Sequence, residues 1–203
     1  MKITTLNRKE IATIFLGSLI LTSLVAWVSA NPLRTEQFAS VSVLGSRMTA
    51  ANYFPNNVAT VTLNEQIGWD LQVYNHMGTS QLFLLKVILA NTTIMGPNAT
   101  GSTPSQGVLL LQSFRALTNN ETWNLPLQWS ITGETNAGGS TSIQTMMVNN
   151  NPVNGGVSAV NGKSFRIVVE LWSYDTEEHN VIFSFEVSGV LNSIFNQVWF
   201  NTG

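Results

Sequence analysis

The feature that most constrains this chain is a change of hydrophobic period near residue 30. From Ile11 to Val28 the sequence IATIFLGSLILTSLVAWV contains no charge, no Asn or Gln and no proline. Beyond it the apolar residues recur at every second position, as in Ile67, Trp69, Leu71 and Val73. Continuous hydrophobicity fits a helix wrapped in hydrocarbon, whereas period two fits half-buried strands. At ~1.5 Å per residue the apolar run reaches roughly 27 Å, close to the ~30 Å apolar thickness of a bilayer. A buried helix of a soluble protein would carry a polar stripe, and this run has none.

Lys2, Arg8 and Lys9 precede the run, and Arg34 is the nearby cation that follows it. The positive-inside rule therefore places the N-terminus in the cytoplasm and residues 31–203 outside. Val28-Ser29-Ala30 also resembles the small-residue site of a cleavable signal peptide, although the run exceeds the usual ~7 to 15 residues of a signal-peptide core. The expected organisation is a cytoplasmic tip and transmembrane anchor, or signal peptide, over residues 1–30, and an extracytoplasmic domain over residues 31–203. The membrane partner is the bilayer itself, through Ile11 to Val28.

Composition removes several classes of function. Nine Lys+Arg against eleven Asp+Glu, spread thinly, give no basic face for a phosphate backbone, so nucleic acid is not an expected partner. Cysteine is absent, which excludes disulfides, thiolate metal sites and thiol nucleophiles. The apolar content of 44% and the net charge of −2 are those of a chain that folds.

The exported part is expected to be all-β. Val61 alternates with Thr60 and Thr62, and Leu71 with Asp70 and Gln72, while Gln81 to Ala90 is apolar on both faces except at Lys86, as in a central strand. Trp123, Leu125, Leu127, Trp129 and Ile131 alternate with an outward set that includes Pro126, which marks an edge strand. Phe165, Ile167, Val169 and Leu171 are expected to form a hairpin with Val181, Phe183, Phe185 and Val187. The stretches 96–105, 135–140 and 149–156, rich in Gly, Ser and Asn, read as loops. Seven to eight strands match an immunoglobulin-like β-sandwich. Residues 107–117 fit a helix or a strand equally well. Val190, Leu191, Ile194, Phe195, Val198 and Trp199 recur at helical spacing and predict a short C-terminal helix, whose stripe would pack on the sandwich or touch a bilayer or partner.

Residues equipped for chemistry are few. His76 and His179 both fall in turn-like segments, and Asp175, Glu177, Glu178 and His179 lack the ligand pattern of a calcium loop. No G-x-S-x-G elbow is present. No catalytic, cofactor-binding or metal-binding residue is assigned, and the chain is expected not to be an enzyme. The sequons at Asn91, Asn98 and Asn120 lie in segments read as loops and are candidate glycosylation sites. Trp69, Trp123 and Trp129 share the inward register and are expected in the core. Trp172, on the outward register beside Arg166 and Glu170, and Trp199 are the candidate surface contacts, although a loop covering that face would bury Trp172.

Val43-Leu44-Gly45, Asn52-Tyr53-Phe54-Pro55, Val73-Tyr74-Asn75-His76, Asn120-Glu121-Thr122-Trp123 and Leu171-Trp172 occur in an order that resembles the largely archaeal, membrane-anchored family called domain of unknown function 1616. The resemblance covers roughly residues 38–188. Phe54 interrupts the Tyr-Pro pair of that family. It implies an immunoglobulin-like sandwich outside the membrane and brings no catalytic residues or cofactor. The functional expectation is an archaeal glycoprotein, a structural or interaction module of the cell envelope with other envelope proteins as partners. A pilin-like filament subunit and a glycan or small-ligand binder using Trp172 are the rivals.

Overall fold

Asn7 begins the first element by accepting the backbone N–H groups of Lys9 and Glu10 on its side-chain oxygen, while the Glu10 carboxylate accepts the Asn7 N–H. This reciprocal cap satisfies donors that the first helical turn leaves free. The helix α1 spans Arg8–Ala30, three residues longer at its start and two at its end than the apolar run. None of its residues is buried, and Thr13, Thr22 and Ser23 turn their hydroxyls back onto carbonyls of the preceding turn. It is long and apolar enough to cross a membrane.

The computed structural model describes residues 7–31, 36–187 and 190–203. The chain divides after Glu36 into two units, the first containing α1 and the second the β-domain. Lys2, Pro32 and Arg34 lie outside the described residues.

The β-domain is a two-sheet sandwich. One sheet has the order β1-β3-β6-β7-β8, formed by Phe38–Leu44, Ile67–His76, Thr122–Ala137, Ser140–Val148 and Asn151–Val160. The other has the order β2-β13-β9-β4-β5, formed by Thr60–Val61, Ile194–Thr202, Phe165–Asp175, Gln81–Asn91 and Val108–Leu117. A short β10 (Asn180–Ile182) also pairs with β9, and β11 (Phe185–Val187) pairs with β12 (Val190–Asn192) as a separate ribbon. The chain crosses between sheets at β1 to β2, β2 to β3, β3 to β4, β5 to β6 and β8 to β9, and β2 runs parallel to β13. With β7 and β8 removed, this is the connectivity of an immunoglobulin-like sandwich. The β7–β8 hairpin, β10 and the β11–β12 ribbon together carry the strand number beyond the expected seven to eight.

Alternation places the core. Val43, Leu71, Val73, Phe83, Val87, Leu127, Ile131, Ile167 and Val169 are fully enclosed between the sheets. Trp69, Trp123 and Trp129 join them, and Trp129 lies 5.3 Å from Trp69 and 5.2 Å from Phe200, centroid to centroid. β4 is central, between β9 and β5. Residues 107–117 resolve as strand, β5, at the edge of its sheet.

Four sequence expectations are corrected. First, the segment from Val190 to Trp199 contains no helix: it forms β12 and β13. The open edge of β9 accepts Ile194–Phe200 as an antiparallel partner, and period two then buries Val198 and Phe200 while turning Trp199 outward. Second, β6 is not the edge of its sheet, since β3 pairs with its first half and β7 with its second. Thr122–Gln128 pairs with β3 alone, which frees Pro126 from donating, whereas Trp129 pairs with both β3 and β7 and the residues beyond it with β7. Third, the late hairpin holds only three pairs, Asp175 with Asn180, Tyr174 with Val181 and Ser173 with Ile182, because β13 occupies the rest of that edge. Fourth, residues 151–156 are strand, and Asn91 ends β4 rather than lying in a loop.

Candidate functional site

The outward face of β9 repeats Arg166, Val168, Glu170 and Trp172, and alternation predicts that all four meet solvent. Instead Arg166 is 8% exposed, Glu170 is fully buried and Trp172 is half-buried. The cause is the connection between β4 and β5, residues 92–107, which folds back over this face. Ser105 donates its N–H to Glu170 Oε1 at 2.6 Å, and Ile94 O accepts from Arg166 Nη2 at 2.8 Å. The loop is thus held at both ends by side chains of one strand.

Each of these charges is met by neutral or aromatic groups. Glu170 Oε2 accepts Trp172 Nε1–H at 3.0 Å, and Lys86, its register partner on β4, sits over the Trp172 ring. Burial pushes the Glu170 carboxyl up, against the pull of the Ser105 and Trp172 donors and of Lys86. Burial also pushes the Lys86 ammonium down, partly offset by Glu170. Arg166 donates through Nη1 to Gln197 Oε1 at 3.2 Å and stacks 4.9 Å from the Trp199 ring centroid, while its Nε is buried without a hydrogen-bond partner. Desolvation lowers its pKa. Gly96 lies beneath this guanidinium, and a Cβ there would lie 2.7 Å from Arg166 Nη2, so a side chain would displace the guanidinium.

The two tryptophans singled out from sequence therefore sit on one strip. Trp172 is bound to Glu170 and Lys86, and also packs on Phe183 at 5.6 Å. Trp199 remains 38% exposed. The sequence showed Arg166, Glu170 and Trp172 on a common register. It gave no sign that residues 94 and 105 would close over them.

The sequons fall in three different environments. Asn91 is 4% exposed: its Nδ2 donates to Ser158 O at 2.6 Å, and its Oδ1 accepts the N–H groups of Thr93 and Ile94. Asn98 is exposed, and its carbonyl organises a turn by accepting from Thr100 N and Gly101 N. Asn120 is exposed at φ 66° in the turn before β6. Its Oδ1 accepts the Tyr74 hydroxyl and faces His76 Nδ1. Neither Asn98 nor Asn120 spends its Nδ2 on a partner among the described residues.

At the β9–β10 turn, Asp175 Oδ1 accepts the N–H groups of Glu177 and Glu178 at 2.7 and 2.9 Å. That carboxylate shapes the turn. Among the described residues no three His, Asp or Glu side chains are grouped to hold a metal ion.

No protein-family model matches the chain, that of domain of unknown function 1616 included, and no curated protein matches it. Among solved structures it is similar to the CARDB domain of a Pyrococcus furiosus protein in complex with di-metal ions, at 14% identity and a TM-score of 0.41 over 83% of this chain and 90% of that one. It is also similar to the alkylpurine DNA glycosylase AlkC of Pseudomonas fluorescens, at 11% identity and TM-score 0.36 over 81% of this chain and 30% of that one. A third likeness is to Spo0M, a sporulation control protein of Bacillus subtilis, at 7% identity and TM-score 0.35 over 81% of this chain and 49% of that one.

Proposed function

We propose that this chain is a single-pass membrane protein whose β-sandwich stands outside the cytoplasm and serves as a non-catalytic structural or interaction module of the cell envelope, of the kind represented by domain of unknown function 1616. The observation that carries the reading is α1: 23 residues with no buried member, about 34 Å long, and without a charge on any side from Ile11 to Val28. A core helix of a soluble protein would bury one face. Arg8 and Lys9 at its start support a cytoplasmic N-terminus. The absence of a catalytic role is supported by the use made of the buried ionisable groups, since Glu170, Arg166 and Lys86 hold a loop and a ring in place.

On this reading Asn98 and Asn120 are glycan acceptors, and other envelope proteins are the partners. N-terminal sequencing of protein from native membranes tests the anchor. A start at Met1 supports it, a start at Asn31 replaces it with a secreted protein, and a start at Glu10 or Ile11 replaces it with a filament subunit. Protease added to intact cells should cleave within residues 31–203; complete protection of that region would refute the topology.

A further inference from the structure

The segment between β1 and β2, residues 45–59, presents a wall of polar side chains that are largely unspent. It frames a cavity of about 510 Å³ lined by Arg47, Asn52, Tyr53, Asn56, Asn57 and Gln66, within the size range of small-ligand sites. None of these side chains makes a hydrogen bond or ion pair with another described residue, the Tyr53 hydroxyl included. The backbone beneath them is anchored. Gly45 N–H donates to Thr49 O at 2.8 Å, Ser46 N–H to Asn52 O at 3.3 Å, and Trp69 Nε1–H to Tyr53 O at 2.6 Å. Phe54 is buried against Trp69 and Phe200. Arg47, Met48, Asn52, Asn56 and Asn57 all hold positive φ, between 55° and 66°. Such conformations cost free energy in L-residues and persist where the surroundings hold them. The cavity is therefore built in advance, which lowers the ordering cost of binding.

The chemistry of the wall selects its ligand. Asn and Gln amides each donate and accept, which matches hydroxyl groups, and a guanidinium forks onto a carboxylate. No carboxylate lines the cavity. A second cavity of about 390 Å³ shares Asn52, Tyr53 and Asn57 and adds Gln197 and the exposed Trp199. Two adjoining compartments, each with an aromatic ring and amides, fit two successive rings of one ligand. Two other depressions among the described residues do not offer this: that beside β9 carries Asp175 and Glu177, and that at the β6–β7 turn has neither ring nor charge. From this geometry we infer that residues 45–57 together with Trp199 form a binding site for an acidic oligosaccharide, with Arg47 on a uronate carboxylate, the Asn52, Asn57 and Gln66 amides on ring hydroxyls, and Tyr53 and Trp199 against sugar faces. This assignment does not depend on the membrane topology proposed above.

The test is calorimetric titration of the full-length protein in detergent micelles with trigalacturonate, maltotriose and galacturonate monomer. The trigalacturonate should bind saturably, at least about tenfold tighter than either control. Arg47→Asn keeps a residue that tolerates positive φ and should weaken trigalacturonate about tenfold and erase the acid preference. Gln66→Ala should weaken it several-fold. Both residues are exposed, so an unchanged melting temperature confirms that the variants fold. No binding at about 10 mM, equal affinity for maltotriose, equal affinity for the monomer, or binding untouched by both substitutions would each overturn the assignment.

Discussion

Lys86 Nζ stands 3.3 Å from the centroid of the Trp172 ring, and the same indole donates its N–H to Glu170 at 3.0 Å. One aromatic side chain thus serves a cation by its face and an anion by its edge, which is how the outer face of the second sheet encloses both charges without a direct ion pair among the described residues. Trp172 is a keystone of the loop clamp before it is a contact for anything outside.

Trp172→Ala should therefore destabilise the domain by about 2 to 4 kcal/mol, because it removes half-buried ring area, strands one donor-dependent oxygen of Glu170 and uncovers Lys86. Trp172→Phe keeps the ring and loses the N–H, and should cost about 1 kcal/mol. Urea unfolding of the full-length protein reads both values. A Trp172→Ala variant as stable as the parent would show that the clamp does not depend on the ring.

The buried carboxyl gives the clamp a pH dependence of defined sign. Burial raises the Glu170 pKa in the folded state, so the folded protein keeps a proton that the unfolded chain, near ~4.3, has released. The contribution is full below ~4.3 and is lost as pH rises through the elevated folded value. Glu121 acts oppositely: the N–H and hydroxyl of Thr118 lower its pKa, and its contribution, present above ~4.3, is lost as pH falls through the lowered value. Glu170→Gln should flatten the fall in melting temperature above pH ~4.5 and leave the acid limb unchanged. Parallel profiles for parent and variant would rule out Glu170 as the source.

The central strands were legible because period two is unambiguous where one face is buried: Trp69, Leu71 and Val73 could point only inward together. β13 was not, since Ile194, Phe195, Val198 and Trp199 form one stripe at helical spacing, whereas in a strand Ile194 and Val198 take one face and Phe195 and Trp199 the other. What decides between them is the open edge of β9, a tertiary fact. The outward register of Arg166, Glu170 and Trp172 was equally plain, and its meaning was not. Polar alternation signals water unless another segment covers it, and the covering segment, residues 92–107, carries only loop chemistry in its sequence. The cavity at residues 45–57 escaped for a related reason, because scattered Asn residues converge only after Gly45 and Phe54 fix the path between them.

The three sequons should separate by environment. Mass spectrometry of protein from a host that glycosylates Asn-x-Thr should find glycans on Asn98 and Asn120 and none on Asn91. A glycan on Asn91 would have to displace its bond to Ser158 inside the sandwich. Asn91→Gln should leave the glycan mass unaltered and cost about 2 to 3 kcal/mol, since the longer side chain cannot meet Ser158, Thr93 and Ile94 from the same place. Unmodified Asn98 and Asn120 in such a host would argue against their export.

Gly45 and Gly68 offer a matched pair that isolates the anchoring of the cavity wall. A Cβ at Gly45 would fall 2.2 Å from Ala51 O and 2.5 Å from Asn52 O, backbone atoms that cannot rotate away, whereas a Cβ at Gly68 meets nothing within 4 Å. Gly45→Ala should therefore push residues 51–52 off the core and cost about 1 to 3 kcal/mol. Gly68→Ala should be neutral or stabilising by about 0.5 kcal/mol, because alanine restricts the unfolded chain and fits the strand. The same pair bears on binding. If the wall must be held in place to bind, Gly45→Ala loses trigalacturonate affinity along with stability, while Gly68→Ala, whose glycine lines the same cavity, retains it unless the added methyl itself reaches the sugar. Equal stability of the two variants would mean that the 45–57 segment yields freely, and the claim of a pre-built cavity would fall with it.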